Sequence, residues 1–155
     1  MSDLGLTHVA FAVADLEASV DFYSHYAGMQ EIHRRGREDI PGARVAWLTD
    51  YTRPFVLVLA EHGGARDTPL GPFGHLGVAC ASRAEVERLA NQARTEGRLR
   101  KGPQDLGPPA GYLAYIADPD DNILEVSYGQ DIAFTIEGAR ANKMTERADG
   151  QRTPA

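Results

Sequence analysis

The chain carries an internal repeat in which two strand-like segments, each with a histidine near its start, recur at a fixed spacing. An offset of 67 residues, the difference between 75 and 8, places His8 on His75. The same offset places Asp15, a residue suited to cap a helix, on Ser82, which is suited to the same role. The repeat therefore predicts two copies of one supersecondary unit within the 155 residues.

Each half has the hydrophobic pattern of a βαβββ unit, so the chain is predicted to belong to the α+β class. The predicted strands of the first half are 6–13, 31–37, 43–49 and 55–61, with a helix between Asp15 and Gly28. The predicted strands of the second half are 74–80, 98–101, 112–117 and 123–128, with a helix between Ser82 and Gly97.

The connections between these elements give the predicted domain boundaries. We predict a first module at 4–61, a linker at 62–73, a second module at 74–128 and a C-terminal arm at 129–155 that is partly disordered. Residues 102–111 are dense in glycine and proline, which predicts a loop suited to a lid or to substrate specificity.

Composition excludes several classes of function. The formal net charge of −6 offers no basic surface for a phosphate backbone, so we expect no nucleic-acid binding. No apolar run approaches the length of a membrane span, and residues 1–4 lack the features of a signal peptide, so we expect no membrane association and a cytoplasmic location. The single cysteine, Cys80, excludes an internal disulfide and a cysteine-cluster metal site.

A glutamate in the last predicted strand needs a partner. Asp118 begins a turn, and the strand that follows it carries Glu125 among apolar residues. Burying a carboxylate there costs free energy unless it is paired or bound to a metal. An offset of 68 across this hairpin places Asp50 on Asp118 and Leu57 on Glu125. His8, His75 and Glu125 then occupy three of four symmetry-related positions, and Leu57 occupies the fourth.

These features resemble the vicinal oxygen chelate superfamily, which includes glyoxalase I, extradiol dioxygenases, fosfomycin-resistance enzymes and bleomycin-resistance proteins. The resemblance covers about residues 4 to 128 and rests on the paired modules, the strand-initial histidines, the Phe22-Tyr23 and Gly28-Met29 pairs, and the hairpin that leads to Glu125. It implies an eight-stranded, cup-like incomplete barrel, the glyoxalase/dioxygenase fold. It also implies a homodimer, whose modules pair in cis or are swapped between chains.

By the same resemblance, the metal ligands are expected to be His8, His75 and Glu125. Two imidazoles and one carboxylate suit Fe(II) or Mn(II), with Zn(II) and Ni(II) as further candidates. Each histidine taken alone is more typical of a hydrogen-bonded core residue, and it is the repeat that favours a metal site. Glyoxalase I of this superfamily uses a fourth ligand, a glutamate at the position assigned here to Leu57, and leucine cannot ligate a metal.

The resemblance is therefore strongest to the dioxygenase branch. In that branch a tyrosine precedes the last ligand, as Tyr115 precedes Glu125 here. That branch also has an upstream acid-base histidine, and no histidine lies near residues 106–108. Tyr115 is a candidate catalytic residue that would orient or deprotonate a substrate hydroxyl. The alternative, that Tyr115 fills the sheet as its repeat partner Trp47 does, stays open.

We predict a metal-dependent enzyme acting on a small substrate that chelates the metal through neighbouring oxygens. The candidate substrate-binding residues are Trp47, Leu57, Tyr112 and His62. Arg44 and Lys101 are either anion-binding residues or ordinary exposed charges. Two alternatives remain: a metal-free protein that binds an antibiotic or metabolite in the same cup, and a glyoxalase-type lyase or isomerase.

Overall fold

The computed structural model describes residues 6–36, 40–61, 70–71, 74–133 and 135–141. Within these residues the chain forms two four-stranded mixed sheets, each combined with a helix. The α+β class and the paired βαβββ arrangement are therefore confirmed. The two sheets are not closed into a barrel, which agrees with an open, cup-like fold.

The first module contains β1 (His8–Val13), α1 (Leu16–Ala27), β2 (Gln30–Gly36), β3 (Arg44–Thr49) and β4 (Val56–Glu61). As predicted, the Asp15 side chain caps α1, accepting a 3.0 Å hydrogen bond from the Ala18 amide. The sheet order is β1-β4-β3-β2, in which β1 runs parallel to β4 and the other pairs are antiparallel. The histidine-bearing strand therefore lies at one edge of its sheet.

The second module repeats this plan with β5 (His75–Ala79), α2 (Arg83–Thr95), β6 (Leu99–Asp105), β7 (Tyr112–Ala117) and β8 (Ile123–Tyr128). Ser82 caps α2, its hydroxyl accepting a 3.2 Å hydrogen bond from the Glu85 amide. The sheet order is β5-β8-β7-β6, with β5 parallel to β8. Again the strand that bears the histidine is an edge strand.

The prediction of a loop at 102–111 is wrong over its first four residues. Strand β6 continues to Asp105, which pairs with Tyr112 of β7, and the register shifts between Lys101 and Gln104. Gly102 makes this irregularity possible, because its φ is 87° and an added Cβ would lie 2.7 Å from the Leu113 carbonyl oxygen. Only residues 106–111 connect the two strands.

Both modules share one hydrophobic core. It includes Phe11 and Leu59 from the first sheet and Leu124 and Val126 from the second, together with the apolar faces of both helices. The core-facing Leu57, Leu76 and Val78 line one small cavity between the modules. Because side chains alternate along a strand, the faces that carry His8 and His75 point away from this shared core.

Among the described residues, polar contacts join the first module to the second. The Ala14 amide donates to the Asp120 carboxylate at 3.1 and 3.2 Å. The Tyr23 hydroxyl donates to Asp118 at 2.9 Å, and the Tyr26 hydroxyl donates to Glu96 at 2.8 Å. Two of these bonds end on the β7–β8 turn, so the turn is part of the contact between modules.

The linker and the arm are described only in part. Of the predicted linker at 62–73, the structure describes only residues 70–71. The disorder predicted for the end of the arm falls on residues 142–155, which lie outside the described residues. Residues 132–133 and 135–141 are helical. Of the helices in the described segments, none has the length and apolar character that a membrane span requires.

Candidate metal and substrate site

The outward face of the second sheet brings three of the predicted site residues together. Glu125 lies opposite Gly77 of β5 and opposite Tyr115 of β7 in the strand register. His75, two residues before Gly77, shares that face. His75 Nε2 lies 3.4 Å from Glu125 Oε2, and the rings of His75 and Tyr115 meet edge to face with centroids 5.5 Å apart.

The Glu125 carboxylate is buried, with 4% of the residue exposed, yet it is surrounded by polar groups. Gln130 Nε2 donates to Oε1 at 2.6 Å, and Tyr115 lies directly opposite Glu125 in the strand register. Burial, and after it the neighbouring Glu125 carboxylate, raises the pKa of the Tyr115 hydroxyl. Gly77 lies beside the carboxylate, and a Cβ at that position would lie 3.9 Å from Oε1, an ordinary van der Waals contact.

The outward face of the first sheet lines a cavity of about 830 Å³, within the range typical of small-molecule sites. His8 and Trp47 line it, and 38% of Trp47 is exposed. His8 Nδ1 lies 3.0 Å from the Thr7 hydroxyl. Most of the remaining lining is apolar, and it includes Ile32, Val45, Phe55, Val56 and Val58.

The charged residues that line this cavity in the described segments are two arginines, Arg35 and Arg53, and no carboxylate lines it there. The Arg53 guanidinium lies 5.6 Å from the centre of the Phe55 ring. Arg44, which was a candidate for binding an anion, instead pairs with Glu61 at 3.0 Å and with Glu17 at 2.6 Å. The cavity therefore combines an apolar wall with cationic groups.

The three predicted metal ligands do not meet within one chain. His8 lies on the first sheet, whereas His75 and Glu125 lie together on the second. In the part of the chain that the structure describes, no three His, Cys, Asp or Glu side chains are grouped so as to hold a metal ion. The donor types still suit a divalent ion, and the second module supplies two of the three.

Of the predicted substrate-binding residues, Trp47 lines the cavity and Tyr112 does not. The Tyr112 side chain points towards α2, where its hydroxyl donates to Glu87 at 3.1 Å and the Arg83 guanidinium lies 4.8 Å from its ring centre. Tyr112 stands on the strand face that packs against the core, so its assignment to the substrate site is wrong. His62 lies outside the described residues.

The strand register also corrects the position assigned to Leu57. His8 lies opposite Val56 and His75 lies opposite Ile123, so the residue equivalent to Glu125 is Val58. Leu57 points into the core and is 1% exposed. The offset of 68 holds on the strands before the hairpin turn, where Trp47 and Tyr115 lie opposite Val58 and Glu125. The connection between β7 and β8 is one residue shorter than the connection between β3 and β4, so the offset returns to 67 on the last strand.

Gln130, Gly77, Arg35 and Arg53 are site residues that the sequence analysis did not find. Gln130 follows the last strand of the repeat, and the offset of 67 places it on Gly63, which has no side chain to draw attention to the position. Arg53 lies in the connection between β3 and β4, and a turn arginine has no sequence pattern that separates it from a solvated charge. Gly77 was detectable in principle, since it lies two residues after His75 in a strand.

Comparisons with known proteins agree with this fold. Residues 5–126 match the model of the Glyoxalase/Bleomycin resistance protein/Dioxygenase superfamily. An uncharacterised protein of Pseudomonas aeruginosa is 37% identical over 127 residues, which cover 81% of this chain and 89% of that protein. A lactoylglutathione lyase of Arabidopsis thaliana is 26% identical over 125 residues, which cover 77% of this chain but only 42% of the lyase.

A solved structure shares the fold at lower identity. It is a mutant of the fosfomycin resistance protein FosX of Listeria monocytogenes in complex with Mn(II) and 1S,2S-dihydroxypropylphosphonic acid. The TM-score is 0.66 at 16% identity, and the match covers 87% of this chain and 99% of the other. With its paired modules, its outward-facing histidines and a family match over most of its length, the chain belongs to the glyoxalase/bleomycin resistance protein/dioxygenase superfamily.

Proposed function

We propose that this protein is a metal-dependent enzyme that acts on a small substrate with neighbouring oxygens. The observation that carries the proposal is the pair of His75 and Glu125, whose Nε2 and Oε2 atoms lie 3.4 Å apart on an outward sheet face. A carboxylate as buried as Glu125 costs free energy unless a charge or several hydrogen bonds compensate it. A divalent cation would supply that compensation.

The third ligand in this proposal is His8 of a second copy of the chain. The two strands that carry the histidines, β1 and β5, are edge strands of their sheets, and their outward faces carry small residues such as Ala10 and Gly77. Edge strands present free backbone groups that can pair with another chain. A two-fold dimer that joins β1 of each copy to β5 of the other would bring His8 to the His75–Glu125 pair.

Two imidazoles and one carboxylate favour Fe(II) or Mn(II), and they also accept Zn(II) or Ni(II). A divalent ion held there would polarise the substrate oxygens. The protein groups around it have separate roles. The Tyr115 hydroxyl, on the strand position opposite Glu125, would donate to and orient a substrate oxygen, while the burial of Glu125 keeps bulk water from the carboxylate.

The cavity beside His8 indicates the kind of substrate. Its wall is apolar and includes the exposed ring of Trp47, and Arg53 stands at its margin beside Phe55. A ligand with an apolar or aromatic body and an anionic group would match these features. We therefore propose a small organic anion as the substrate.

Dioxygenase chemistry is the reaction that we favour, because Val58 stands where a fourth carboxylate ligand would be needed. Lyase or isomerase chemistry is a second candidate, supported by the 26% identity to a lactoylglutathione lyase. Consumption of dioxygen during turnover separates the two. The metal-free binding protein remains a third candidate, because the large cavity itself is mostly apolar.

The experiment is a metal-content measurement on complementing variants of the full chain. His8→Ala and Glu125→Ala should each bind little metal after incubation with Fe(II) under anaerobic conditions or with Mn(II), whereas His25→Ala, an exposed helix position, should bind as the wild type does. Mixing the two defective variants should restore about a quarter of the sites, since half of the dimers are mixed and each has one intact site. No recovery, with dimers formed, would contradict the shared site, and no metal in the wild type would contradict the proposed function.

A further inference from the structure

We infer that Gln130 is a positioning residue that fixes the orientation of the Glu125 carboxylate, and this inference rests on the proposed metal site. The two carboxylate oxygens face different partners. Oε1 accepts the 2.6 Å bond from Gln130 Nε2, while Oε2 lies 3.4 Å from His75 Nε2. Gln130 thereby holds one oxygen and leaves the other directed to the space beside the histidine.

A glutamate needs such a partner because its side chain has three rotatable bonds. A carboxylate that can turn freely loses conformational entropy when it binds a metal, whereas one that is already held does not. The amide of Gln130 is a neutral donor, so it can hold Oε1 without competing as a charge for Oε2. It also gives the buried Glu125 carboxylate a hydrogen-bond donor, which lowers the free-energy cost of burying its charge.

Gln130 is itself held in place by the turn before β7. The backbone of Gly111 approaches residues 128–130 so closely that an added Cβ would lie 2.5 Å from the Tyr128 carbonyl oxygen and 2.9 Å from the Gln130 nitrogen. On the other side of Gln130, the Asp131 amide donates to the Pro109 carbonyl at 3.1 Å. The 109–111 turn therefore fixes the backbone on both sides of the glutamine.

A purely structural role for Gln130 makes a different prediction. If its hydrogen bond only anchored the C-terminal segment, removing the amide would alter the stability of that segment and leave the metal affinity unchanged. If the bond sets the direction of Glu125, the metal affinity should fall even in variants whose fold is intact. Outer-shell partners of metal ligands commonly change affinity by about 10- to 100-fold when they are removed.

The test compares metal affinity and stability in the same variants of the full chain. Gln130→Ala and Gln130→Leu remove the amide donor without adding a charge, and Gln130→Leu retains much of the bulk of the side chain. Gly111→Ala leaves Gln130 itself intact but displaces its backbone. Ile132→Ala is the matched control, because Ile132 lies in the same segment and is 58% exposed. Affinities for Mn(II) and Zn(II) are measured by competition with a chromophoric chelator, and unfolding is followed by circular dichroism.

We expect the two Gln130 variants to bind both metals at least about tenfold more weakly, with Gly111→Ala weakened in the same direction and the control unchanged. Wild-type affinity in a folded Gln130→Leu protein would overturn the inference and leave the proposed function standing. A wild-type protein that binds neither metal would overturn the proposed function and the inference with it. The two failures are therefore distinguishable.

Discussion

The hydroxyl of Tyr23, on the helix of the first module, donates a 2.9 Å hydrogen bond to the Asp118 carboxylate on the hairpin of the second. Tyr23 is fully buried and Asp118 is 2% exposed. The other Asp118 oxygen accepts from the backbone amides of Asp120 and Asn122 at 2.8 and 2.9 Å. One carboxylate thus shapes the hairpin that precedes Glu125 and also joins that hairpin to the first module.

Tyr23→Phe should lower the free energy of unfolding by about 1 to 2 kcal/mol, because it leaves a buried carboxylate oxygen with one donor fewer. Tyr26→Phe is the matched control, since its hydroxyl bonds to the partly exposed Glu96 and water can replace it. We expect a loss of about 0.5 kcal/mol there. Urea unfolding of both variants provides the measurement. Equal losses in the free energy of unfolding would mean that burial does not increase the contribution of the Tyr23–Asp118 bond to stability.

The contribution of Asp118 to stability should fall as the pH rises. Burial raises the pKa of this carboxyl above its ordinary value, and the hydrogen bonds from Asn122 and Tyr23 offset only part of that effect. The folded state therefore holds the proton more tightly than the unfolded state does. Stabilisation from this group is complete below the unfolded-state pKa of about 3.9, and it is lost as the pH rises through the folded-state value.

Asp118→Asn isolates this dependence, because all other titrating groups are common to both proteins. The stability difference between wild type and variant should shrink as the pH increases from about 3.9 upwards. Chemical unfolding at a series of pH values measures that difference. A difference that grows with pH would mean that the hydrogen bonds outweigh burial and lower the pKa.

Local patterns in the sequence predicted most of the fold. Strand alternation, the caps at Asp15 and Ser82 and the stop at Gly28 depend on residues close in the chain, so they can be read without the structure. The prediction that Trp47 and Tyr115 occupy equivalent positions in the repeat was also correct, since they lie opposite the equivalent residues Val58 and Glu125. The expectation that His75 and Glu125 act at one site came from the family resemblance, and their Nε2 and Oε2 atoms lie 3.4 Å apart.

The remaining site features depend on relations that local patterns do not contain. Asp50 and Asp118 look alike as turn residues, but the number of residues in each turn, not their type, sets which neighbour faces outward. Leu57 was therefore taken for the equivalent of Glu125 in place of Val58. Gln130 reaches Glu125 only because the chain turns back after β8, which no periodicity records.

Glutamate substitutions at these two neighbouring positions test the corrected register. Leu57→Glu should lower the free energy of unfolding by about 4 kcal/mol or more, because it places a carboxylate in the shared core. Val58→Glu should cost about 1 kcal/mol, because its side chain faces the cavity. Thermal unfolding of the two variants measures the contrast. The opposite ranking would restore the original assignment of Leu57.

The cavity can be examined directly because Trp47, the one tryptophan of the chain, lines it. Its fluorescence should change when 3-phenylpropionate, an aromatic carboxylate, binds beside it. Arg53→Gln should weaken that binding about threefold, the scale of an exposed charge pair, and leave binding of the neutral 3-phenylpropionamide unchanged.

Arg100→Gln is the control for this measurement, since Arg100 pairs with Asp121 at 2.9 Å in the second module. It removes one positive charge without touching the cavity, so a general effect of net charge would appear in both variants. Equal weakening of the acid and the amide in Arg53→Gln would mean that Arg53 acts by packing against Phe55. No effect on either ligand would place the anionic group away from Arg53, and Arg35 would then be the remaining cation that lines the described part of the cavity.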